Sequence, residues 1–237
     1  MHTLWITFIY QPIYNTLVFL AQYITMHDVG LAVILLTILI RIILLPLSKK
    51  MVISQYKMRA LQPKLQAIKE RGLDKQAEAK ETMELYKTEK MNPFSGCLFL
   101  LVQLPILFGL YYVLRSGINQ PEHLYSFLST NNLHNMLFGI LDITKPFLPF
   151  AILAGLTQGI QAFLVPQQQT NSSDVSFQGQ LAKSMSMQTR YILPLIIILI
   201  ASKLAAAVAI YWVVTNTFSI FQELYFRKKF TSKVEVL

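Results

Sequence analysis

Eight polar or aromatic residues of this chain lie inside strongly apolar segments, where charges and hydrogen-bonding groups are rare. One of them is an arginine. A guanidinium with neighbouring amides and hydroxyls can bind an anionic group or hold water within a membrane. Each residue alone has a commoner role, since Gln and Thr join helices and Tyr and Trp pack. Together they favour a hydrated cavity, and they are Thr37, Arg41, Gln103, Gln158, Gln161, Tyr211, Trp212 and Asn216.

Arg41 is the one charge in residues 29–48, a segment about as long as a bilayer-spanning helix. A charge at that depth costs roughly 2.5–3.5 kcal/mol on insertion scales. Two interpretations are open: the side chain extends to the headgroups near Lys49 and Lys50, or it faces a polar cavity. Helical side chains point toward the N-terminus of their helix, which favours the cavity, and Thr37 lies one turn earlier on the same face.

Motifs of catalytic or metal chemistry are missing from the sequence. There is no phosphate-binding loop, no zinc-protease motif and no His/Cys cluster at metal-ligand spacing. No pair of acids falls within an apolar segment, so neither a proton relay nor carboxylate catalysis is predicted. The single cysteine, Cys97, excludes an intrachain disulfide and is typical of a packing residue. We therefore expect neither an enzyme nor a cofactor or metal site.

The composition is that of a polytopic membrane protein. Of 237 residues 54% are hydrophobic, and the net charge is +9 with a mean hydropathy of +0.45. In such proteins a basic excess marks cytoplasmic loops. The first residues offer neither a basic n-region nor a small-residue cleavage site, so no cleaved signal peptide is expected.

We expect an all-α fold with five transmembrane helices. The aromatic-rich residues 1–26, interrupted by polar ones, predict an extracytoplasmic amphipathic helix in the membrane interface, with a true span as the alternative. Residues 49–91 hold 11 Lys/Arg and 6 Asp/Glu, and they predict a hairpin of two helices whose charges form either a solvated surface or a binding patch. The remaining predicted boundaries are span one 29–48, span two 92–115, an extracytoplasmic loop 116–145, span three 146–165, a cytoplasmic loop 166–189, span four 186–202, span five 204–225 and a basic tail 226–237.

The distribution of Lys and Arg predicts the orientation. The hairpin has 11 of these residues and the tail four, whereas the loop 116–145 has one. With five spans, the hairpin and the tail lie on the same side, which is the cytoplasm by the positive-inside rule. The predicted location is thus the cytoplasmic (inner) cell membrane, with the N-terminus extracytoplasmic and the C-terminus cytoplasmic.

Five stretches together resemble, in order and spacing, the YidC/Oxa/Alb family of membrane protein insertases. They are IRIILLPL, LQPKLQAIKE, NPFSGCLFLLVQLPILFGLYYVLR, LAGLTQGIQ and AIYWVVTNTFSIFQ. The resemblance implies a compact bacterial YidC-type core, without the large extracytoplasmic domain of some relatives or the lipoprotein cysteine of others. It also implies a hydrophilic groove, open to the cytoplasm and to lipid, whose family positions fall on Thr37, Arg41, Gln161 and Trp212.

The resemblance further implies an insertase and chaperone that works without nucleotide hydrolysis. A client's polar segment would enter the groove, Arg41 would attract its acidic residues, and its apolar segment would move laterally into lipid. Implied partners are nascent membrane proteins and membrane lipids, with the Sec translocon, the ribosome and the signal recognition particle receptor as further candidates, and no specific nucleic acid. The short tail weakens the case for ribosome docking.

Two other classes of function stay open. A small-solute transporter would also place polar groups at mid-depth, although transporters commonly show internal repeats and none is evident here. A structural assembly subunit would bury the same groups against packed neighbours.

Overall fold

The chain is mostly helical, as the sequence predicts. The computed structural model describes residues 2–89, 95–165, 184 and 187–234. π-helical turns at Ile6–Tyr10 and Gln188–Ile192 precede the second and ninth α-helices below. The α-helices are α1 (His2–Trp5), α2 (Gln11–Tyr23), α3 (Val29–Ile43), α4 (Leu45–Ala60), α5 (Gln62–Glu70), α6 (Lys75–Thr88), α7 (Ser95–Ser116), α8 (Leu148–Leu164), α9 (Leu193–Ala201) and α10 (Ala206–Val234). The predicted helix start at Asn92-Pro93 and most of the loop 166–189 lie outside the described residues.

Within the described part of the chain, no single helix combines the length and the hydropathy needed to cross a bilayer. Helices α3 and α4 satisfy both requirements only as a pair, and they meet at an angle of 61°. Shorter apolar helices cover Val102–Arg115, Leu148–Leu164 and Gln188–Ala201. The five predicted spans and their boundaries therefore stay a prediction.

The segment predicted as the first span, residues 29–48, consists of two helices with a bend at Leu44. Asp28 caps α3, because its carboxylate accepts the N–H of Leu31 at 2.8 Å. Pro46 has no N–H, and its ring clashes with a carbonyl one turn back, so it is tolerated only in the first turn of a helix. A new helix therefore begins just before Pro46, and Arg41 lies in the last turn of α3.

Helices α5 and α6 pack against each other across a tight turn. Gly72 has φ +64°, a left-handed conformation that glycine adopts without strain. Asp74 then caps α6 by accepting the N–H of Ala77 at 2.6 Å. Exposed ion pairs also join the two arms, among them Arg71 to Glu81 at 2.8 Å.

Polar residues of α2 hold the segment that follows α7. Asn15 donates to the carbonyl of His123 at 2.9 Å and accepts the N–H of Tyr125 at 2.8 Å. Gln22 accepts the N–H of Ser129 at 3.0 Å. The polar interruptions of this apolar stretch therefore satisfy loop backbone groups that would otherwise need water.

A two-stranded antiparallel hairpin, β1 (Met136–Leu137) with β2 (Leu141–Asp142), lies over the N-terminus of α3. The N–H of Phe138 donates to Asp28 Oδ2 at 2.6 Å. The sequence analysis predicts only a mixed loop here, because strands of two residues are too short to show alternation of apolar and polar side chains.

The helices surround one main core, in which α3 packs against α2 and α10. On the other side of α10, α8 packs against α9 and α10. Helices α8 and α9 are in close contact at Gly155. A Cβ atom there would overlap Ile198 Cγ1 and come within 2.8 Å of the carbonyl oxygen of Pro194. The small residue is therefore what allows these helices to meet.

We predict that Gly155→Ala lowers the free energy of unfolding by about 1–3 kcal/mol, because the added methyl group overpacks this contact. Gly159→Ala is the matched control, since its Cβ would meet Pro194 at an ordinary 3.7 Å. Thermal unfolding of both variants in the same detergent checks this. Equal melting temperatures for the two variants would contradict the prediction.

Candidate functional site

A partly open cleft lies where the end of α3 meets α4, α8 and α10. Its volume is about 110 Å³, which is more than one water molecule needs. Seven of the ten residues that line it are polar. The polar lining residues are Arg41, Ser48, Gln55, Gln161, Ser219, Gln222 and Glu223.

Arg41 is the charged residue that α3 contributes to this lining. The residue is only 5% exposed, so the protein encloses its side chain and does not let it extend over the surface. A buried guanidinium is stable only when polar groups or water replace its hydration. The cleft beside Arg41 is lined in part by such polar groups, and the polar cavity expected from the sequence stays a prediction.

The structure brings two of the eight predicted groove residues, Arg41 and Gln161, together in this cleft. Two other predicted residues form hydrogen bonds elsewhere, Thr37 within its own helix and Asn216 between two helices. Buried Thr37 donates to the carbonyl of Val33 at 2.7 Å, one turn back in α3. Buried Asn216 donates to Thr157 Oγ1 at 3.3 Å and so connects α10 with α8.

The other four predicted residues have different surroundings. The amide of Gln103 donates to the hydroxyl of buried Tyr211, which joins α7 to α10. Trp212 is half-buried and packs against the main core and against a small alanine cluster. Gln158 is half-buried on α8, three residues before Gln161. A groove role for all eight residues stays a prediction.

Two elements contribute lining residues that the sequence analysis missed: α4 and the C-terminal half of α10. Glu223 is 3% exposed, and its Oε1 accepts the hydroxyl of Tyr56 at 2.8 Å. Ser48 Oγ donates to Gln222 Oε1 at 3.2 Å. Burial raises the pKa of Tyr56, and the hydrogen bond to Glu223 acts in the same direction.

The residues that α10 contributes to the lining follow a pattern that is visible in the sequence. Thr215, Ser219 and Glu223 follow Tyr211 at intervals of four residues, so all four share one helix face. The α4 residues show no such pattern, because the sequence predicts that most of this helix belongs to a charged hairpin outside the spans.

Comparisons with known proteins decide the family. The family model described as 60Kd inner membrane protein matches residues 19–233. A membrane protein insertase YidC of Fusobacterium nucleatum is 35% identical, and the match covers 84% of this chain and 86% of that protein. The chain belongs to the YidC family of membrane protein insertases. The resemblance noted in the sequence is thereby confirmed, and the YidC relatives are inner membrane proteins.

Other YidC relatives are longer than this chain. The membrane protein insertase YidC of Aeromonas salmonicida is 34% identical over 92% of this chain, which spans only 36% of that protein. A crystal structure of an active YidC insertase, with its first transmembrane domain resolved, superimposes with a TM-score of 0.58. It covers 91% of this chain and 46% of the solved one at 22% identity, and so shows a shared fold.

We predict that Asn216→Ala destabilises the protein by about 1–2 kcal/mol, because it removes the hydrogen bonds that join α10 to α8. Thr217→Ala, at the next and half-buried position, changes a different helix face and serves as the control. Denaturant titration in detergent measures both. A loss of stability at position 217 as large as at 216 would contradict this account.

Proposed function

We propose that this protein inserts nascent hydrophobic proteins from the cytoplasm into the bilayer without nucleotide hydrolysis. The observation that carries the proposal is a buried arginine in the wall of a polar cleft, in a chain of the YidC family. A charge kept at that depth is otherwise costly and in membrane proteins marks a functional site.

The proposed topology has five spans, formed by α3, α7, α8, α9 and α10, with α4–α6 in the cytoplasm. The 11 Lys and Arg residues of 49–91 support this orientation. Helix α3 has 15 residues, about 23 Å of helix, which is shorter than a hydrocarbon core of about 30 Å. Arg41, in its last turn, would therefore lie within reach of cytoplasmic water.

The cleft would receive the polar part of a client. Two unit charges 4 Å apart attract by about 4 kcal/mol at an effective dielectric constant of 20, and by about 1 kcal/mol in bulk water. Arg41 would thus hold a client's Asp or Glu better than an exposed arginine. Gln161, Ser219 and Gln222 offer donors and acceptors for the client's backbone, which must not cross lipid without hydrogen-bond partners.

The apolar part of the client would supply the driving force. Its transfer from water to lipid is worth about 25 cal/mol per Å² of apolar surface. The cleft lowers the barrier for the polar flank, and lipid stabilises the product, so no nucleotide is required. The basic arms α5 and α6 would receive the incoming chain or its delivery machinery, for which the Sec translocon, the ribosome and the signal recognition particle receptor are the candidates.

We predict that Arg41→Met lowers insertion of a single-span client with an acidic translocated tail by roughly tenfold or more, since it removes an attraction of several kcal/mol. Insertion is measured by protease protection of the client in cells depleted of their own insertase. Arg41→Lys should retain a large part of the activity because it keeps the charge.

The control variant is Arg115→Met, which removes an exposed arginine from the last turn of α7. It should insert the client at the parental rate. Full activity of the Arg41→Met variant would refute the role of the charge, and an equal loss at position 115 would show that the effect is not specific to the cleft.

A further inference from the structure

Helix α4 is one wall of the cleft, and it is attached to the rest of the protein through a bend. Leu44 separates it from α3, and the two helix axes meet at 61°. Side chains on one face of α4, including Ser48, Val52 and Gln55, line the cleft. A rotation of α4 about Leu44 would therefore change the width of the cleft without disturbing α3.

Among the residues that the structure describes, side chains of α4 form hydrogen bonds with side chains of α10 near the bend and farther out. Near the bend, Ser48 Oγ donates to Gln222 Oε1 at 3.2 Å. Farther out, the hydroxyl of Tyr56 donates to Glu223 Oε1 at 2.8 Å. Tyr56 lies 12 residues beyond Leu44, about 18 Å along the helix. The outer bond therefore has the greater leverage over the position of α4.

The surroundings of the Tyr56–Glu223 hydrogen bond also strengthen it. Glu223 is 3% exposed, so its carboxylate depends largely on protein donors. Tyr56 supplies a neutral donor from α4, and the positive charge of Arg227, one turn on in α10, adds favourable field. Hydrogen bonds to a charged partner are worth about twice those between neutral groups.

We propose that Tyr56 and Glu223 are positioning residues whose hydrogen bond holds α4 closed against α10 and so sets the width of the insertion cleft. When the bond is broken, α4 swings about Leu44 and the cleft admits a client segment. The inference rests on the proposed function and concerns the regulation of the same site. Neither residue is required to touch the client.

The test measures how accessible the cleft is. A reporter thiol is placed by Gln161→Cys in a Cys97→Ala background of the whole chain, reconstituted in liposomes, and its alkylation by a charged, membrane-impermeant maleimide is timed. Tyr56→Phe, which removes only the hydroxyl, should raise the alkylation rate by about tenfold or more, the change expected when an open–closed equilibrium loses one hydrogen bond to a charged group.

Variants at Glu223 distinguish loss of the Tyr56–Glu223 hydrogen bond from a general loosening of the protein around the cleft. Glu223→Met should raise the rate as much as Tyr56→Phe does, and the double variant should add nothing further, because both changes remove one interaction. Glu223→Gln keeps an acceptor oxygen and should react close to the parental rate. Tyr86→Phe is the matched control, since it alters another partly buried tyrosine of the same charged segment, and it should leave the rate unchanged.

An unchanged rate in Tyr56→Phe, or additive effects in the double variant, would overturn the proposal. Should Tyr56→Phe fail to fold, the comparison of Glu223→Met with Glu223→Gln decides: equal rates would overturn the proposal and a faster Met variant would support it. Alkylation does not require insertion of a client. A loss of insertion in Arg41→Met therefore tests the proposed function separately from this bond.

Discussion

The enclosure of the Arg41 guanidinium is the constraint on which the rest of the structure depends. A positive charge removed from water is stable only among groups that replace its hydration, and α3 is otherwise apolar. Three other helices meet this requirement by turning polar side chains toward the end of α3. The same arrangement leaves the cleft that we propose as the site for the polar segment of a client.

The packing of the remaining helices keeps that cleft in place. Three side chains of α10, Tyr211, Asn216 and Glu223, form hydrogen bonds to α7, α8 and α4 in turn. Because each bond joins α10 to a different helix, α10 is the element that fixes the others around Arg41. On the far side, the small Gly155 of α8 allows α9 to pack closely against it.

Much of the site could be predicted from the sequence, since a charge in an apolar segment is conspicuous. Arg41 is predicted as a candidate in this way, Gln161 is predicted from the amides of the third predicted span, and the order of five stretches predicts the family. The contribution of α4 could not be found, because it depends on the bend at Leu44 and on a hydrogen bond between residues 167 positions apart. Neither leaves a periodic pattern. Glu223 had a signal in the i, i+4 series of α10, which was hidden by its closeness to the basic tail.

The central claim is that water reaches the groups around Arg41 while the protein is in a bilayer. A nitroxide attached at Ser219→Cys in the Cys97→Ala chain, reconstituted in liposomes in heavy water, reports nearby deuterium by spin-echo modulation. The account predicts a modulation depth close to that of a label on exposed Met83 of α6 and well above that of a label on Leu199, which is 67% exposed on α9. A label at position 219 as dry as the one at 199 would contradict it.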